Sequence, residues 1–153
     1  MVDVRTAVEL CEVLRSRGMK ATPQRLWLLE LLENDQSHPT AEQLHARAQM
    51  RMPTLSLRTV YQTLNELVEM GELLALDVGT GATRFDPHTA THHHVVCRRC
   101  GAVRDVALDT SSLPPLSPDH GFVVTEPEVL YRGLCPACAE AESGAESQPG
   151  VTT

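Results

Sequence analysis

Residues 55–86 read LSLRTVYQTLNELVEMGELLALDVGTGATRFD, and the fold turns on how they are parsed. Ser56 is a helix N-cap residue and Gly71 a stop signal, so the spacing predicts one helix between them. Within it Val60, Leu64, Leu67 and Val68 fall at i, i+4, i+7 and i+8, the stripe a helix buries. Arg58, Tyr61, Gln62 and Asn65 then lie on the opposite side near the helix start. They offer a guanidinium, a phenol and two carboxamides, groups suited to base edges and phosphates. A merely solvated helix face would carry the same pattern. Beyond Gly71, LLALDVGTGATRFD predicts two short strands around a Gly-Thr-Gly turn.

Upstream of this stretch the signals are helical. Residues 3–17 place Val4, Ala7, Val8, Cys11, Val13 and Leu14 roughly on one stripe. Thr22 predicts the N-cap of a second helix, with Pro23 at the first position, where its missing N–H costs nothing. Thr40 and Gln43 are spaced as a capping box that opens a third. Helices followed by a hairpin describe a winged helix-turn-helix, and that context favours the DNA-facing reading of α-helical residues 58–65. Lys20, Arg25 and Arg84 are the expected phosphate contacts.

Composition changes near Pro87. HHHVVC (92–97) and GAVRDVA (101–107) are β-branched runs flanking a Cys-x-x-Cys turn, and GFVVTEPEVLYRGLC (121–135) predicts two more strands around Glu-Pro-Glu. The intervening LDTSSLPPLSPDHG is too rich in Pro and Ser for more than one helical turn. From about Glu140, EAESGAESQPGVTT has the composition of a disordered tail. The expected organisation is α+β: a winged-helix DNA-binding domain over 1–86, a hinge at about 84–91, a small metal-binding domain over 92–140, and a tail over 141–153.

Cys97, Cys100, Cys135 and Cys138 make C-x2-C-x34-C-x2-C. Two such knuckles complete the tetrahedral shell that Zn2+ takes at structural sites. A thioredoxin-like redox pair would instead be a single Cys-x-x-Cys in a βαβ frame, and a zinc deaminase would need a His-x-Glu that this chain lacks. The neighbouring histidines cannot all join the sulfurs. Strand side chains alternate faces, so His92 and His94 point one way while His93, Val95 and Cys97 point the other. A hairpin turned at Cys97–Cys100 sets Asp105 roughly opposite His94, and Asp86 lies just upstream. Two imidazoles and two carboxylates thus gather away from the thiols, predicting a second site of different chemistry.

The whole chain sets bounds on these readings. At 153 residues with 42% hydrophobic composition it can bury a core, and its formal charge of −7 argues against non-specific avidity for nucleic acid. No apolar run approaches the ~20 residues a membrane helix needs. The N-terminus has neither a basic leader nor a cleavage site, so the expected location is cytoplasmic, without membrane association. Four of the five cysteines sit in the two pairs, which suits metal ligation in a reducing compartment. The fifth, Cys11, reads as a small core residue.

TPQR (22–25), HPTAEQL (38–44), LRTVYQTLNELVEMGEL (57–73), RFD (84–86), HHHVVCRRCG (92–101) and GLCPACA (133–139) together resemble the ferric uptake regulator family of bacterial metalloregulators. The resemblance runs from about residue 10 to 140. It implies a homodimer, a C-terminal α/β dimerisation domain around the four-cysteine zinc, and a regulatory metal held by His38, Asp86, His92, His94 and Asp105. Asp86 and Asp105 make the chain most similar to the peroxide-responsive subclass, and HGFVVTEPEVLYRGLCPAC to the catalase-linked members in actinobacteria. Three His and two Asp are a nitrogen/oxygen set suited to Fe2+ or Mn2+, whereas a thiolate would favour zinc.

That resemblance implies a repressor that binds an inverted-repeat operator in double-stranded DNA, loses its grip when Fe2+-catalysed oxidation alters a ligand histidine, and so controls oxidative-stress genes such as catalase. It is not a turnover enzyme on this reading. An iron or manganese uptake regulator without peroxide sensing is the alternative, and a thiol/zinc redox switch or a metalloenzyme stands further off. Relatives carry another His/acid site; here His93 and His120 remain of it, with Thr91 and Ser112 in the other slots. Gln62 stands where many relatives have Arg.

Overall fold

The computed structural model describes residues 4–117 and 121–145, and the chain divides after Ala90 into two units. The first unit runs α1 (Ala7–Ser16), α2 (Pro23–Glu33), α3 (Ala41–Gln49), α4 (Leu57–Glu69), β1 (Leu74–Leu76) and β2 (Arg84–Asp86). Each helix starts where a hydroxyl satisfies an orphan amide. Thr6, Thr22, Thr40 and Ser56 accept from the backbone N–H of Glu9, Arg25, Gln43 and Thr59, and loss of one such cap costs about 1 kcal/mol. Gly71, at φ +74°, lets the chain turn out of α4 in a conformation that penalises a Cβ.

Leu10, Leu14, Leu28, Leu29, Leu32, Leu44, Leu64 and Leu67 fill one core with Phe85 of the hairpin. Burying each leucine contributes roughly 1.5–3 kcal/mol. Two expected positions differ. Val8 is 62% exposed, because the helix opens at Thr6 and its phase brings Leu10 inward instead. On α4, Thr63 is buried and Val68 only partly so; the Thr63 hydroxyl donates to the Thr59 carbonyl at 2.9 Å, which removes the penalty of burying it. β1 and β2 pair antiparallel, Leu74 opposite Asp86.

The second unit is a three-stranded sheet in the order β4–β3–β5, built from β3 (His93–Cys97), β4 (Val103–Val106) and β5 (Leu130–Gly133), followed by α5 (Pro136–Ala145). β3 and β4 form the hairpin turned by the first Cys-x-x-Cys, and β5 lies parallel to β3. Among the described residues, Thr110–Ser112 is the one helical turn between β4 and β5. Two expectations are corrected. Residues 121–129 form no strand, although they are β-branched, because Pro127 has no N–H to give a ladder and no neighbouring strand lies beside them among the described residues. Residues 141–145, expected in a disordered tail, continue α5; Ala141, Glu142 and Ala145 are strong helix formers whatever the polarity of the stretch. His120 and residues 146–153 lie outside the described residues. No helix among the described residues is long and apolar enough to cross a membrane.

Candidate functional site

The thiols converge at one end of the second unit. Cys97 ends β3, Cys100 follows in its turn, and Cys135 and Cys138 stand at the start of α5, so a strand end and a helix start deliver two ligands each. All four Sγ atoms lie within 4.8 Å of one another, and those of Cys100 and Cys135 are 3.7 Å apart. A tetrahedral ion with Zn–S bonds of about 2.3 Å separates its sulfurs by roughly 3.8 Å. The donors therefore fit zinc in both type and spacing. Backbone amides of Cys100, Cys135 and Arg99 hold the Cys97 thiol down to about 6. The neighbouring Cys135 thiol, burial and the remaining sulfurs push Cys138 up to about 12.

The nitrogen and oxygen donors occupy both units, and each set is ordered by itself. In the first unit His38 and Asp86 are 1% and 2% exposed, with His38 Nε2 3.3 Å from Asp86 Oδ2. The His38 Nδ1–H donates to the Gln36 carbonyl at 3.1 Å, which leaves the Nε2 lone pair directed to the carboxylate side. The other Asp86 oxygen accepts from the His88 amide at 2.8 Å. In the second unit the β3–β4 register sets His94 opposite Asp105. Asp105 Oδ1 lies 3.4 Å from His92 Nε2 and 3.6 Å from His94 Nε2, and the two rings sit 4.4 Å apart, edge to face.

These separations are longer than charge-assisted hydrogen bonds, which run about 2.7–2.9 Å. They match donors around one ion with bonds of about 2.0–2.2 Å, whose neighbours stand roughly 3.0–3.6 Å apart. Each set thus fits a divalent cation with nitrogen/oxygen preference. His93, on the other face of β3, is buried and accepts at Nδ1 from the Val129 amide at 3.2 Å. It ties the segment before β5 to the sheet. Glu128, not singled out by the sequence, places Oε1 3.7 Å from His94 Nδ1; no spacing rule links residues 34 apart across a parallel pairing.

On α4, Arg58, Tyr61, Gln62 and Asn65 are exposed as a group. Two are already held by acids: the Tyr61 hydroxyl donates to Glu42 of α3, and the Gln62 amide to Glu66 at 3.0 Å. Lys20 is exposed. Arg25 is largely covered, paired with Glu66 at 2.6 Å and donating to the Lys20 carbonyl. Arg84 departs from its expected role as a phosphate contact. It is 8% exposed and donates to the His38 carbonyl, because β2 turns it inward beside Asp86.

Residues 16–127 match the Ferric uptake regulator family. The chain belongs to that family. It is 32% identical over 137 residues to the Peroxide operon regulator of Bacillus subtilis, covering 88% of this chain and 94% of that protein. The Campylobacter jejuni peroxide stress regulator superposes with a TM-score of 0.60 at 30% identity, covering 84% of this chain and 98% of its own. A Zinc Uptake Regulator solved in complex with zinc and DNA superposes at 0.57 with 25% identity, over 90% and 95% of the two chains. The protein is accordingly a metal-responsive transcriptional regulator of the ferric uptake regulator family.

Proposed function

We propose that the protein is a homodimeric repressor that senses peroxide through a regulatory Fe2+ and is held folded by zinc. Zinc belongs to Cys97, Cys100, Cys135 and Cys138; Fe2+ or Mn2+ belongs to one set formed by His38, Asp86, His92, His94 and Asp105. The observation that carries the reading is Asp86, a buried carboxylate facing His38 in a donor set without any thiolate. Such a set favours Fe2+ or Mn2+ over the softer-ligand metals, and the relatives named for peroxide share the fold and about a third of the sequence.

His38 and Asp86 come from the DNA-binding unit, and His92, His94 and Asp105 from the other. Drawing both sets onto one ion sets the angle between units and hence the spacing of two α4 helices across a dimer. The operator is then an inverted repeat matched to that spacing. Arg58, Tyr61, Gln62 and Asn65 would meet its bases and Lys20 its phosphates. Phe122, Val123 and Tyr131 expose large apolar surfaces on the second unit, which supports burial against a second copy. If bound, Fe2+ would supply one-electron chemistry towards peroxide. His92 and His38 are the imidazoles on which we place the added oxygen: a ring C–H would become C–OH as the peroxide O–O bond breaks, the second oxygen would leave as water, and the modified ring would be a poorer donor at Nε2.

The test is operator binding by the Fe2+ and the Mn2+ forms before and after low peroxide, with peptide mass mapping. The reading expects loss of binding in the Fe2+ form alone, with one added oxygen on a ligand histidine. An Fe2+ form indifferent to peroxide would make the protein an iron or manganese uptake regulator, the second reading that the same donor chemistry supports.

A further inference from the structure

His38 is the only residue other than glycine with positive φ among the described residues, at +51°. Any residue with a Cβ adopts this conformation at a cost, smaller for His than for a β-branched residue, and it persists where surrounding contacts over-determine it. The contacts that do so come from β2, 46 residues away. Arg84 Nη1 donates to the His38 carbonyl at 3.0 Å, Arg84 bridges Thr40 across the backbone, and the Phe85 amide donates to the Pro39 carbonyl at 3.0 Å. Arg84 is 8% exposed, its Nε meets no hydrogen-bond acceptor, and its Nη1 donates to that backbone carbonyl.

We propose that Arg84 is a positioning residue for the regulatory metal, acting through His38. Alternation along β2 sends Phe85 into the core and sets Arg84 and Asp86 on one face. On that face the two side chains grip the same residue from two ends. Arg84 fixes the His38 carbonyl, and with it the left-handed backbone, while Asp86 meets the ring nitrogen at 3.3 Å. The Gln36 carbonyl holds Nδ1 and fixes the tautomer. Without the guanidinium, the backbone at His38 relaxes towards negative φ and carries Nε2 away from Asp86. This inference rests on His38 being a regulatory ligand.

Mn2+ titration of the zinc-loaded dimer, by calorimetry and by the Mn2+ paramagnetic resonance signal, tests it in a two-by-two set: wild type, R84M, H38A and the double variant. R84M keeps the apolar stem and removes the donors. It is expected to weaken Mn2+ by about ten- to a hundredfold, the range seen when partners of a ligand are lost, and to add no more than about twofold in the H38A background. Zinc content stays at one per chain. Equal losses in both backgrounds, or Mn2+ affinity for R84M within about twofold of wild type, would overturn the proposal. Should R84M not fold, R84K carries the same cycle with the same two outcomes, its single shorter head reproducing only part of the grip. If H38A itself leaves Mn2+ affinity unchanged, the ligand assignment falls, not the Arg84 argument alone.

Discussion

The thiol cluster and the His/Asp donors contrast in where their ligands come from. Cys97, Cys100, Cys135 and Cys138 all belong to the second unit, their sulfurs within 4.8 Å of one another and those of Cys100 and Cys135 at 3.7 Å, near the spacing of a filled tetrahedral shell. His38 and Asp86 belong to the first unit, His92, His94 and Asp105 to the second. A metal whose ligands share one unit can only stabilise that unit. A metal whose ligands come from two can report on their arrangement, because its binding energy differs between arrangements. On the proposed reading, moving such an equilibrium from 1:99 to 99:1 would take about 5.5 kcal/mol of differential affinity.

The largest expected effect lies on the sulfur side. C97S or C138S should lose zinc and the dimer together, since in so small a unit metal free energy is folding free energy, on the order of 10 kcal/mol. Zinc content by mass spectrometry and sedimentation check this, and a zinc-free dimer that still binds DNA would abolish the contrast. H92A comes next. It should leave zinc and dimerisation intact while lowering Mn2+ affinity by more than about a hundredfold, beyond the range for loss of an outer partner, as read by calorimetry.

Changes to the DNA face should leave both metals in place. R58A or Y61A is expected to weaken operator binding by about 1–3 kcal/mol, with zinc, Mn2+ affinity and oligomeric state unchanged. Gel-shift titration with the wild-type operator measures it, and indifference at both positions would mean that α4 meets DNA through another face. The smallest expected change is D86E, which lengthens the ligand by one methylene and keeps its charge. Metal-dependent DNA binding should remain, while its loss on peroxide treatment of the Fe2+ form is blunted. A D86E protein as peroxide-sensitive as wild type would remove Asp86 as the determinant.

Legibility in the sequence followed the range of the forces involved. Thr22, Thr40 and Ser56 cap helices through bonds to residues three positions on, so their roles could be read locally. The face shared by His92 and His94, and Asp105 opposite it, follow from strand alternation and a short hairpin. Arg84 could not be read this way. Its partner is a carbonyl 46 residues earlier, and an arginine beside a turn looks the same in sequence whether it reaches out to phosphate or in to His38. The Val129 amide at His93 Nδ1 was likewise not readable from the sequence, since it joins residues 36 positions apart. Phe122 to Val124 have strand propensity but no neighbouring strand among the described residues, and propensity alone does not make a ladder.

Metal content after anaerobic purification tests the contrast between the two sites most directly. The account predicts one zinc per chain that survives dialysis against a mild chelator, and a second metal, iron or manganese, that is removed by it. DNA binding should vanish with the second metal and return when Mn2+ is added back, while the dimer persists throughout. A single class of metal per chain, or DNA binding that survives removal of everything but the zinc, would contradict it.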